Sequence, residues 1–412
     1  LDSGAHATAG GAPSVVTLEI SSRTGESMIP RGKAVLFDYR SLENLTYPEG
    51  HPFRPERARM LREILEREGI LDETWHSLVE AAPATEEELC AFHRADYLAA
   101  LEAADMGGFD PSMLRFGLGT ADCPVFDGVF RLASRAAGAS LAGARLIANG
   151  SARTVFNPIG GFHHAGTAYA EGFCYLNDVV LACTELAESG ARVACLDLDA
   201  HHGNGTETAF IDESRVLTIS VHQSGKTLYP WSGEETEMGR GKGRGFNVNV
   251  PLAQGAGDDA MNRALEEIAM PVLEAYKPDF IALVIGMDPL FGDPLAQLRM
   301  TNNALAEAAS RVRAFDIPTI VFGGGGYMPR DTARGWALAW SVLNDAEKEN
   351  PYLGLIGGVM LGNAEYASGG NLRDMARFTP KDERRVIDAE LDRIIAFHRE
   401  HLFPIHGIAR PA

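Results

Sequence analysis

The 412-residue chain is 45% hydrophobic and 23% charged, a balance that excludes disorder as its main state and allows a large buried core. Its 37 basic against 56 acidic residues give a formal charge of -19. That excess disfavours a sequence-independent grip on nucleic-acid phosphates; it would welcome a cationic substrate or simply keep the protein soluble.

Along the chain, the small-residue opening LDSGAHATAGGAPS lacks the basic-then-apolar order of a signal peptide, and residues 1–30 read as a flexible tail. Apolar runs begin at Lys33, Arg153, Arg192, Arg215, Asp279 and Pro318. Each is short and rich in Val, Ile, Leu or Phe, the pattern of strands buried on both faces of a parallel sheet. Between them the first helix runs from Pro55, suited to a first helical position, to Gly69, suited to a C-terminal cap. Further helices are expected over 130–147, 177–188, 258–276, 303–315 and 381–401. The alternation predicts an α/β fold: one large open parallel sheet with helices on both faces. No Pro/Ser-rich linker or charge block divides it. The five cysteines, Cys90, Cys123, Cys174, Cys183 and Cys195, are scattered without a CxxC pair, which fits a reducing, cytoplasmic setting, and no apolar run of about eighteen residues suggests a membrane span.

In such sheets the chain leaves at the carboxyl ends of the strands, where side chains can converge into a site. LDLDAHHGNG packs Asp197, Asp199, His201, His202 and Asn204 into one such exit. Alternate strand residues share a face, so Asp197, Asp199 and His201 can point one way, and carboxylate with imidazole suits a divalent metal. Asp288, after the run DFIALVIG, is the third candidate ligand, leaving a fourth position for water. The competing reading is that these groups cap helices or bond loops. His163 and His164 in GGFHHA form a candidate proton-transfer pair, although such a pair alone is more often a polar loop. In FGGGGY the glycines allow close backbone approach, and Tyr327 offers a phenolic donor to an oxyanion. A phosphate loop is discounted because the Lys-Ser/Thr ending and the dinucleotide spacing are both missing.

These pieces, with HPFRPERARM at His51, DCPVFDG at Asp122, GFCYLND at Gly172, ISVH at Ile219, GKGRGFNVNVP at Gly241 and GMDPLFGDPL at Gly286, resemble the histone deacetylase, acetoin-utilisation deacetylase and acetylpolyamine amidohydrolase family, within the arginase-like fold. The resemblance spans Lys33 to Trp340 in family order. It implies that 31–412 is one zinc-dependent deacetylase domain acting on linear amides, with Asp199, His201 and Asp288 on zinc and the site at the strand ends. His164 would be the general base and acid, His163 would support transition-state charge, and Asp197 would orient His163. The second histidine's partner is aspartate in class I relatives but Asn204 here, which should lower the His164 pKa.

The resemblance also implies that Gly172, Phe173 and Tyr229 line an acyl-amine channel with Leu295 at its mouth. Asp122 would bind substrate backbone at the rim, and Arg57 would stand near an acetate pocket. Without the family, Phe173 and Tyr229 read equally as core aromatics. A potassium ion near Asp197, Asp199, His201 and Ser220 is a further implication. The implied substrate is an N-acetyl-lysine peptide or protein, with an acetylated polyamine as the nearest rival. Dimanganese chemistry is disfavoured because GMDPLFGDP lacks an Asp-x-Asp pair. A non-catalytic acyl-lysine reader would be expected to have lost one of these groups. A homo-oligomer is left open.

Overall fold

The computed structural model describes residues 16–17, 33–72, 74–347 and 371–409. Among these, nine parallel strands form one sheet: β1 (Val16–Thr17), β2 (Lys33–Phe37), β3 (His76–Glu80), β4 (Ala152–Asn157), β5 (Val193–Asp197), β6 (Val216–Gln223), β7 (Asn247–Leu252), β8 (Phe280–Val284) and β9 (Thr319–Phe322). Their order across the sheet is β1-β3-β2-β4-β9-β8-β5-β6-β7. The six strands expected from apolar runs are present. Most of the segment read as a tail lies outside the described residues, and within it Val16–Thr17 pairs with β3.

The strands are apolar without alternation because both faces are covered. In β2, Leu36 joins one buried cluster and Val35 and Phe37 the other; in β8, Ile281 and Leu283 face one way, Ala282 and Val284 the other. The first face is covered by helices Arg57–Arg67, Asn302–Ala314, Pro329–Leu343 and Lys381–His401, the second by Val129–Ala148 and Asp178–Glu188. Trp336 and Trp340, both fully buried, fill the first face against Phe156.

Departures from the expected elements have local causes. The helix expected over 258–276 is interrupted by a π turn at Leu265–Ala269. Pro271, which cannot donate to an intrahelical bond, follows at once. Strand β7 reads NVNVPL: its asparagines are buried but bonded, Asn247 Nδ2 to Thr218 Oγ1 at 2.7 Å and Asn249 Nδ2 to Glu207 Oε2 at 2.6 Å. It lies at the sheet edge, where Pro251 is tolerated. Strand β5 stops at Asp197, so Asp199 and His201 stand just beyond it rather than on it.

The sheet order decides where chemistry can gather. Strands β4, β9, β8 and β5 are consecutive neighbours. Their carboxyl ends lead into His163 and His164, Tyr327, Asp288, and Asp199 with His201. Residues over a hundred positions apart in sequence therefore meet at one edge.

Candidate active site

At that edge Asp199, His201 and Asp288 are buried, with one donor atom of each within 4.8 Å of the others. His201 Nδ1 lies 2.9 Å from Asp288 Oδ2 and 3.1 Å from Asp199 Oδ1. Backbone amides fix the carboxylates: His201 N–H donates to Asp199 Oδ1, Ala200 N–H to Asp288 Oδ1 and Gly325 N–H to Asp199 Oδ2, at 2.9, 2.9 and 2.6 Å. Gly325 can come this close only without a side chain, since a Cβ there would sit 2.3 Å from Asp288 Oδ2. The group demands positive charge. Burial lowers the His201 pKa, but hydrogen bonds to, and the charges of, Asp199 and Asp288 outweigh it and hold the value at about 10. Burial and then the Asp199 charge push the Asp288 carboxyl up to about 7. Two crowded carboxylates around an imidazole form a donor set that fits a divalent cation, which would take the place of the imidazolium proton. This buried group could hold a metal ion.

His163 and His164 are held beside it by a loop pinned from below. Asp178 accepts the N–H groups of Gly161 at 3.1 Å and Phe162 at 2.8 Å, and Ser140 Oγ donates to its Oδ2 at 2.6 Å. The two imidazoles face each other through their Nε2 atoms at 3.2 Å. Behind them the partners differ: His163 Nδ1 is 2.7 Å from Asp197 Oδ2, and His164 Nδ1 is 2.7 Å from Asn204 Oδ1. Burial disfavours charge on both. For His163 the charges of Asp197 and Asp199 win, raising its pKa to about 9. For His164, burial and then the charges of His163 and His201 drive the pKa well below the usual imidazole range.

Across the metal group, the Tyr327 ring centre lies 6.5 Å from that of His201. Burial, then the charges of Asp288 and Asp199, keep its phenol protonated well above the usual range. Its backbone N–H donates to Asp293 Oδ2 at 2.8 Å, while the N–H of Leu295 donates to Asp293 Oδ1 at 2.9 Å. Arg57, fully buried at the start of its helix, donates from Nη1 to Gly326 O at 2.7 Å and from Nη2 to Gly324 O at 3.2 Å. Its guanidinium lies 4.5 Å over Phe53 and 4.9 Å over Trp336. It thus latches the glycine run that carries Tyr327.

Two of the remaining expected residues, Tyr229 and Phe173, pack beside this group. Tyr229 packs edge-on against His164 at 5.2 Å, and Phe173 against Tyr327 at 5.7 Å. Gly172, at φ +53°, lies against His164 and Tyr229; a Cβ there would meet His164 Cδ2 at 2.4 Å and Tyr229 Cε1 at 3.1 Å. Asp122 is exposed, and its carbonyl lies 3.2 Å from Nε2 of His51, whose ring packs on Phe173 at 4.6 Å. Leu295 is half-buried. Ser220 sits in register beside Asp197 on the adjacent strand, with its hydroxyl 2.8 Å from His222 Nδ1.

Residue-level reading missed Asp178 and Asp293, which hold the two loops, as well as His51 and Glu171. All four fall inside or beside the matched motifs, and that proximity was the one signal available.

A family model described as the histone deacetylase domain matches residues 51–343. Histone deacetylase RPD3 of Saccharomyces cerevisiae is 37% identical over 314 residues, covering 75% of this chain and 72% of that protein. Histone deacetylase 2 of Oryza sativa is 38% identical over 75% of this chain, which spans 61% of that relative's length. Among solved structures, an HDAC homolog from Aquifex aeolicus superposes with a TM-score of 0.77 at 30% identity, over 88% of this chain and 100% of the other. An HDAC homolog complexed with SAHA superposes with the same score at 31% identity. The chain belongs to the histone deacetylase family.

Proposed function

We propose that this chain hydrolyses the side-chain amide of N-acetyl-lysine in peptides or proteins, using a zinc ion held by Asp199, His201 and Asp288. The observation that carries this reading is the placement of the buried Asp-His-Asp group between the His164 imidazole and the Tyr327 phenol, whose ring centres lie 6.0 and 6.5 Å from that of His201. When bound, a zinc ion would supply Lewis-acid polarisation of the carbonyl and lower the pKa of the attacking water.

The chain's own groups supply the rest. His164, with its proton on Nδ1 toward Asn204, presents an Nε2 lone pair that takes the proton from water. His163, kept charged by Asp197 and Asp199, places positive charge beside the developing tetrahedral centre. The Tyr327 hydroxyl donates to the oxyanion as the carbonyl is attacked. His164 then returns its proton to the leaving nitrogen, which departs as the free side-chain amine of the lysine, with acetate as the second product. Phe173 and Tyr229 hold the four-methylene stem, and the exposed Asp122 accepts hydrogen bonds from the peptide backbone at the rim. A turnover panel of acetyl-lysine peptides, longer acyl-lysines and acetylpolyamines on zinc-loaded protein tests the reading. Acetyl-lysine peptides are expected to turn over best; preference for acetylpolyamines would overturn the substrate assignment.

A further inference from the structure

Glu171 stands two residues before Phe173 in a turn closed on both sides. Its N–H donates to Cys174 O at 3.1 Å, and Cys174 N–H donates to Glu171 O at 2.9 Å. Between them Gly172 and Phe173 both adopt positive φ, 53° and 69°. The turn that presents Phe173 therefore also fixes where the Glu171 carboxylate points. Its Oε1 accepts the Tyr229 hydroxyl at 2.5 Å and the Asn204 Nδ2–H at 3.4 Å. Asn204 Oδ1 in turn faces His164 Nδ1 at 2.7 Å. A hydrogen-bonded chain thus runs from the channel wall through Glu171 and Asn204 to the imidazole.

An amide group is nearly symmetric in shape, so what lies at its far end decides which end faces the histidine. A carboxylate only accepts. With Glu171 on one side, the Asn204 amino group must turn toward it and the carbonyl toward His164. A carbonyl accepts only from a protonated Nδ1, which leaves the lone pair on Nε2, the nitrogen on the side of His163.

We propose that Glu171 is a positioning residue: through the Asn204 amide it sets the tautomer of His164, and through the Tyr229 hydroxyl it anchors the channel wall beside that imidazole. The negative charge that an aspartate at position 204 would place against the histidine stands here one residue further out, and the intervening amide passes on orientation in place of charge. The inference rests on His164 acting as the base.

The chain of bonds makes a prediction that a merely structural carboxylate does not. Glu171→Gln removes the obligatory acceptor, so the Asn204 amide loses its enforced polarity. Turnover should then fall on the order of tenfold, the scale of one lost hydrogen-bond preference, with KM for an acetyl-lysine peptide little changed. In an Asn204→Asp background the sign should reverse. The aspartate of that variant needs no polarity imposed on it and would face the Glu171 carboxylate directly, so adding Glu171→Gln should raise turnover. Equal losses in both backgrounds, or no loss in the otherwise native protein, would overturn the proposal. Nitrogen NMR of histidine-labelled protein gives a readout that needs no turnover and so separates this inference from the substrate reading. His164 is expected to show Nε2 unprotonated with Glu171 present and mixed tautomers in the Glu171→Gln variant; unchanged tautomer signals in that variant would also overturn it.

Discussion

His163 and His164 are neighbours in sequence, both buried, and 3.2 Å apart at their Nε2 atoms, yet their pKa values are pushed in opposite directions. His163 has a carboxylate behind it and a pKa of about 9; His164 has an amide behind it and a pKa well below the ordinary value. Burial acts on both in the same direction. The charges of Asp197 and Asp199 reverse it at His163, those of His163 and His201 deepen it at His164, and in the proposed reaction the pair divides between electrostatic support and proton transfer.

In the proposed reaction the oxyanion is left to Tyr327, and removing that group alone should have the largest effect. Tyr327→Phe should keep the fold and its zinc content while turnover falls on the order of a hundredfold to a thousandfold. The loss should appear in kcat more than in KM, because the hydroxyl matters once the oxyanion forms. Steady-state kinetics with melting curves checks this; near-normal turnover would mean that the imidazoles and metal act without the phenol.

Making the two dyads alike is the next test. Asp197→Asn removes the charge that keeps His163 protonated, so its pKa should drop and kcat should fall on the order of a hundredfold. If kcat is unchanged, the charge on His163 has no part in the reaction. The reverse exchange, Asn204→Asp, adds a negative charge beside His164 and raises its pKa. The acidic limb of the rate profile should move to higher pH by about one unit. A fixed limb would mean that another group titrates there.

The smallest effect comes from a histidine whose ring bonds to backbone and not to a carboxylate. His398 is buried against the backbone, its Nε2 bonded to Asn249 O at 2.8 Å, and burial lowers its pKa to about 4. The unfolded chain then binds more protons than the folded one below about pH 6.5, so this contribution is fully present above that value and is lost as pH falls toward 4. The slope is at most about 1.4 kcal/mol per pH unit. Urea denaturation of His398→Gln at several pH values should show a flatter acid decline than the native chain.

Much of this arrangement was legible because its residues stand at the exits of apolar runs. Asp199, His201, Asp288 and Tyr327 are polar groups where the pattern of a buried strand stops, so sheet topology alone brings them near one another. Strand β7 was not legible, because the burial of its asparagines is offset by Thr218 and Glu207, partners that only tertiary structure reveals. Asp178 and Asp293 were hidden for the same reason: Asp178 accepts the N–H groups of Gly161 and Phe162, 17 and 16 positions back, and Asp293 that of Tyr327, 34 positions on. Glu171 was the hardest to find, since its significance depends on Asn204, 33 positions on, and Tyr229, 58 positions on.

The proposed function requires that one buried Asp-His-Asp group hold the metal on which acyl-lysine hydrolysis depends. Zinc content and acetyl-lysine peptide turnover, measured together on the native chain and on His201→Ala, test it most directly. One zinc per native chain is expected, with little in the variant and turnover that disappears on chelation and returns with zinc. Equal zinc in both proteins, or turnover that survives complete removal of the metal, would contradict it.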